Sequence, residues 1–198
     1  MIPMKFDNSI LYLKGFPKNK YDQFLELKPL EPFSDLVVNY LSTLSKEIFK
    51  NKLSREYPDL MTFAFFCRKA NLILLKNKHN NSKHFSIGRG FIFHITPSNV
   101  PMNFAFSLCS GLLAGNYNLI KLPTKNYNQI NILINTINLL SKNLSYEKIS
   151  NRIVLVKYDK KNENITDRFS KDCDIRVIWG GDQSINSIRK SKLSPKSL

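Results

Sequence analysis

A chain of 198 residues, 42% hydrophobic and 23% charged, is long enough for one substantial core and has neither a collagen-like nor a disordered composition. Its net charge of +15 comes from scattered lysines, with no RGG segment, zinc-finger spacing or RNP-like aromatic motif, so no specific nucleic-acid interface is expected. Apolar runs fall far short of the ~18 residues a membrane span needs, the start MIPMKFDNS lacks the pattern of a secretory leader, and three dispersed cysteines (Cys67, Cys109, Cys173) make neither a disulfide framework nor a CxxC metal pair, so a reduced, cytoplasmic protein is expected.

The first 32 residues are mixed, with turn signals at Gly15, Pro17 and Pro29. Residues 34–52 place Leu36, Val37, Tyr40, Leu41, Leu44 and Ile48 at helical spacing, with Ser34 as N-cap and Asp35 in the first turn. A second helix is predicted from Pro58 through residue 77, because a proline at the first helical position gives up no needed donor. Its Phe63, Phe65 and Phe66 are expected to pack against a neighbouring domain. The polar residues 76–84 read as a loop and a domain boundary, giving a mainly helical region over 1–84 and a partial dinucleotide-binding domain over 85–198.

Beyond that boundary the pattern alternates. Strands are predicted over 85–96, 117–122, 153–156 and 175–179, with helices over 100–114, 127–140, 164–170 and 183–190. Such alternation implies βαβ units and a mainly parallel sheet with helices on both faces. Ligands bind such sheets at the carboxyl ends of their strands, so the loops after Ile95, Lys121 and Ile178 are the candidates.

On residue types alone these loops say little. Asn99, between Pro97 and Pro101, reads as a helix cap. Lys121 at a strand end reads as a solvated charge. The Gly180-Gly181 pair suits a tight turn or the approach of a pyrophosphate, and Asp182 reads as an N-cap. Gly88 and Gly90 read as turn residues around Arg89. His94 reads as a core histidine, since no second ligand has metal-site spacing with it.

Residues 88–123, GRGFIFHITPSNVPMNFAFSLCSGLLAGNYNLIKLP, resemble the aldehyde dehydrogenase superfamily and, more narrowly, the LuxC-type acyl-CoA reductases. The run PDLMTFAFFCRKANL, with its Arg68-Lys69 pair, is similar to an aromatic-rich segment of the same family. The resemblance implies an aldehyde-dehydrogenase-like, Rossmann-type α/β fold and NADPH-dependent reduction of long-chain fatty acyl-CoA, or another acyl thioester, to fatty aldehyde. It implies that the Asn99 amide stabilises an oxyanion, and that Thr96, Pro97, Lys121, Thr124, Gly180 and Gly181 contact the cofactor. Thr124 stands where NAD-preferring members carry a glutamate, and Lys125 follows it, which favours a 2′-phosphate.

The family's nucleophilic cysteine is expected beyond Leu198, in a catalytic domain outside this sequence. Cys67, Cys109 and Cys173 do not match its position. The chain is therefore expected to be the N-terminal part of a reductase, inactive alone, with a separate C-terminal half or an acyl-protein synthetase as partners. The alternative is a non-catalytic nucleotide-binding or subunit-docking module; a basic nucleic-acid-binding protein ranks last.

Overall fold

The alternating pattern folds as short parallel strands joined by helices, and a computed structural model describes residues 9–15, 20–79 and 86–198. In chain order it contains β1 (Leu11–Lys14), α1 (Tyr21–Leu25), α2 (Asp35–Lys50), a 3-10 turn (Lys52–Glu56), α3 (Pro58–Phe66), α4 (Lys69–His79), β2 (Phe91–Ile95) and α5 (Asn103–Leu113). There follow β3 (Tyr117–Lys121), α6 (Asn128–Leu140), α7 (Glu147–Ser150), β4 (Ile153–Lys157), α8 (Glu163–Asp172), β5 (Ile175–Ile178) and α9 (Asp182–Arg189). Pro17 and residues 80–85 of the expected loop and strand lie outside the described residues.

The strands form one sheet in the order β1-β4-β3-β2-β5. β2, β3, β4 and β5 are mutually parallel, whereas β1 runs antiparallel to β4. The sheet is therefore mixed. The antiparallel edge was hidden in sequence because its four residues, LYLK, are too short to show alternation. Among the parallel strands, chain order reverses between β2 and β5: the chain first builds outward through β3 and β4, then returns to the other side of β2. That reversal is a topological switch point, the place where doubly wound sheets characteristically open a crevice between diverging loops.

Period-two alternation in the strands serves two different cores. Ile120, Ile153 and Leu155 face α2, α3, α5 and α6, joining Val37, Leu41, Leu60, Phe104, Leu112 and Ile137. On the other face Phe91, Phe93, Tyr117, Leu119, Val154 and Val156 pack with Tyr21 and Phe24 of α1 and Phe169 of α8. Helices 2 to 4 thus share a core with the helices of the parallel unit.

The long helix expected from Pro58 is two helices. Cys67 ends α3, and the break persists because Asn71 Nδ2 donates to the Phe65 carbonyl (2.8 Å) while Arg68 lies over the Phe49 and Phe65 rings. Phe63 is buried, but Phe65 stays exposed. α4 also continues through Lys76 to His79, where a loop was expected.

At the amino ends of the parallel strands, the segment before α2 is stitched to the α5–β3 turn. Leu30 N–H donates to the Gly115 carbonyl, Gly88 N–H to the Leu30 carbonyl and Phe33 N–H to the Leu113 carbonyl. Gly115 has φ +83°, and a Cβ there would run into the Leu30 oxygen.

Candidate functional site

The carboxyl ends of β2, β3 and β5 bring the predicted loops to one edge of the sheet. Ile95 pairs with Lys121 on one side and with Ile178 on the other, so Thr96 lies between the Lys121 and Trp179 loops. Thr96 donates twice to the Lys121 carbonyl, from its hydroxyl at 2.8 Å and its N–H at 3.4 Å. The Tyr127 hydroxyl donates to the Ser98 carbonyl at 2.7 Å. Two bonds from the side chains of Thr96 and Tyr127 thus clasp the β2 loop to the β3 loop. Tyr127 was missed as anything but a helix start; the signal available was an aromatic hydroxyl on the residue before a strongly apolar helix.

Asn99 is exposed in the bend between Pro97 and Pro101. It is not the helix cap: α5 begins at Asn103 with Met102 before it, so the Asn99 amide has no hydrogen-bond partner among the described residues. Pro97 is partly buried and fixes the exit from β2. Lys121 is half-buried, with its ammonium group 4.5 Å from the Tyr158 ring centroid, and it has no salt bridge among the described residues. Burial lowers its pKa, with Asp159 acting in the opposite sense. Thr124 is exposed, and Lys125 lies over the Tyr127 ring.

Gly180 and Gly181 are exposed at the start of α9. Gly181, not Asp182, is the N-cap; Asp182 occupies the first helical position. Neither glycine has a positive φ, and a Cβ on Gly181 would meet nothing within 4 Å. Neither backbone strain nor packing therefore demands glycine at 181, which leaves a bare, exposed main chain at the start of α9.

Under the site lies a buried polar chain. Trp179 Nε1–H donates to Ser107 Oγ at 3.0 Å, Ser107 Oγ lies 2.7 Å from His94 Nδ1, and His94 Nε2 lies 3.0 Å from Asn118 Oδ1. The Asn118 amide donates to the Asn116 carbonyl at 3.1 Å, which turns its oxygen toward the imidazole. An oxygen there needs a donor, so His94 Nε2 carries the proton and Nδ1 accepts from Ser107. Burial pushes the His94 pKa down to about 4, keeping the ring neutral. Gly111 makes room for this chain, because a Cβ there would collide with Asn118 Oδ1.

The cysteines lie away from this edge in packed surroundings. All three are fully buried. Cys67 and Cys109 face each other with sulfurs 3.8 Å apart, a contact that together with burial raises the Cys109 pKa. Cys173 is pushed up to about 11, chiefly by burial rather than by its flanking aspartates. No group of three or more His, Cys, Asp or Glu side chains suited to a metal ion occurs among the described residues, and no helix there is long and apolar enough to cross a membrane.

No curated protein matches the chain. A model of the acyl-CoA reductase (LuxC) family matches residues 17–197, leaving out β1. Because that match runs through all four parallel strands and every loop of the crevice, the chain belongs to the acyl-CoA reductase (LuxC) family.

Proposed function

We propose that the crevice at the switch point binds NADPH and serves the reduction of long-chain fatty acyl-CoA to fatty aldehyde. The carrying observation is that Thr96, Lys121, Gly180 and Gly181, from three separate segments, converge on one sheet edge. Reductases of the family use a nicotinamide cofactor. The reversal of strand order marks the position where doubly wound sheets bind dinucleotides, which supports the aldehyde-dehydrogenase-like, Rossmann-type reading.

The residues fit such a ligand in kind. A bare main chain at Gly181 admits close approach, and the ammonium of Lys121, which lies over the Tyr158 ring and has no salt bridge among the described residues, answers a ribose hydroxyl or phosphate. Asp182 in the first turn of α9 opposes an anion seated on that helix axis. The 2′-phosphate is therefore assigned to the side of Thr124 and Lys125, and Pro97 holds the facing loop. When bound, the reduced nicotinamide supplies the hydride. Asn99 donates its free amide to the acyl oxygen as charge develops there, a role whose loss costs ~10²–10³ in rate.

The acyl-accepting thiolate is not assigned to Cys67, Cys109 or Cys173, because all three are buried and a catalytic thiol has to be reached by its substrate. The same burial favours, as a second reading, a nucleotide-binding module that does no chemistry alone. Titration calorimetry tests the main reading. NADPH is expected to bind more tightly than NADH, and Lys121→Ala to weaken NADPH about tenfold. Equal affinities for the two cofactors would remove the NADPH assignment, and absence of binding to either would remove the site.

A further inference from the structure

Trp179 is 46% exposed at the carboxyl end of β5, although its main chain is fixed by an N–H bond to the Ile95 carbonyl at 2.9 Å. Large apolar rings left half in water at a sheet's ligand-binding edge call for an explanation. The ring is not loose. Its only polar atom donates to Ser107 Oγ, whose own proton is committed to His94, whose remaining N–H is committed to Asn118. Each donor in the series has one acceptor, and Asn118 closes it on the Asn116 carbonyl. The four side chains come from β5's end, α5, β2 and β3, so the indole is braced by every element that frames the switch point. A ring braced in this way has little rotamer freedom left to lose when something packs on it.

With its N–H turned inward, the indole has only its π-face and apolar edge left for a partner. It precedes Gly180 and Gly181, where the main chain is bare, and follows directly on the pairing of Ile178 with Ile95 of the neighbouring strand. A flat apolar surface beside open backbone selects a flat, polarisable group rather than a phosphate or an alkyl chain.

We propose that Trp179 is the ring-stacking residue of this crevice, pre-set by Ser107 and a neutral His94 to receive a planar heteroaromatic ring of the dinucleotide. The assignment rests on the cofactor reading above and deepens it. Adenine and nicotinamide share the required chemistry, and fragments of the cofactor separate them.

The chain contains a single tryptophan, so its emission reports this ring alone. NADP+ is the suitable probe because it does not absorb indole emission. The expected result is a saturable change in Trp179 emission, together with a several-fold fall in its quenching by acrylamide, at the same concentration where calorimetry detects binding. 2′,5′-ADP reproducing the effect assigns the adenine ring; nicotinamide mononucleotide reproducing it assigns the other. Trp179→Ala is expected to weaken NADP+ about tenfold, the usual order for loss of a base–aromatic stack. Ser107→Ala keeps the indole but removes its acceptor, and is expected to raise acrylamide access in the free protein and weaken binding less than Trp179→Ala. Calorimetric binding with unchanged emission and unchanged acrylamide quenching would overturn the stacking role and leave the cofactor site standing. No binding by calorimetry would overturn both.

Discussion

Protonation of His94 would place a second ring N–H against Ser107 and a charge in a core that offers no carboxylate to receive it. Its pKa is about 4 folded against an ordinary value of 6.5. Between those values the unfolded chain binds a proton that the folded chain refuses, so stability rises with pH across that window. This contribution is fully present above the unfolded value and is lost as pH falls toward about 4; in total it is worth about 3 kcal/mol. Urea midpoints measured at pH 7 and pH 5 are expected to fall with acid, and His94→Gln to flatten that fall. A wild-type midpoint that does not move would show that the ring is not held neutral. Gly111 bears on the same chain. Gly111→Ala would raise helix propensity in isolation, yet is expected to destabilise by about 1–3 kcal/mol because the new methyl displaces Asn118.

At the scale of elements, the turn between α5 and β3 is where backbone geometry leaves least choice. Gly115→Ala would combine a left-handed conformation with a collision against the Leu30 carbonyl, and is expected to cost about 2–4 kcal/mol by chemical denaturation. A loss within a few tenths would mean that the stitch from the segment before α2 is dispensable. Elements with strong periodicity were legible: α2 and α6 from their apolar stripes, and β2 to β5 from their alternation with helices. The division of α3 from α4 was not, because Cys67, Arg68 and Lys69 contain neither proline nor glycine, and the break depends on Asn71 reaching back. The antiparallel placement of β1 was likewise set by pairing across more than a hundred residues, which no local pattern encodes. Of the site, the loops were legible and their clasp was not. Thr96 was read only for a cofactor contact, and the donation of its hydroxyl to the Lys121 carbonyl is a long-range bond that no local pattern announces.

For the molecule as a whole, burial falls off toward both edges of the sheet, at β1 and at β5. β3 and β4 are buried through four of their five residues, whereas all four residues of β5 are only partly covered. Hydrogen exchange is expected to be slowest in β3 and β4 and markedly faster in β5 and α9; equal protection across all the strands would contradict this gradient. The buried thiols make a second molecular property testable. Incubation with a long-chain acyl-CoA is expected to leave no covalent adduct by mass spectrometry, and a stoichiometric adduct on Cys109 would make it the nucleophile after all. The clasp between the β2 and β3 loops carries a different implication. It grips residue 121 by its carbonyl oxygen, which every amino acid possesses, and the side chains at 121, 124 and 125 make neither of its two hydrogen bonds. The side chains at those positions are therefore separable from the hydrogen bonds of the loop clasp. On the cofactor site proposed above, change at those three positions, Thr124→Glu for instance, is expected to redirect the choice between cofactors with and without a 2′-phosphate while the scaffold beneath them stays as it is, which paired titrations of the two cofactors and a urea midpoint would check.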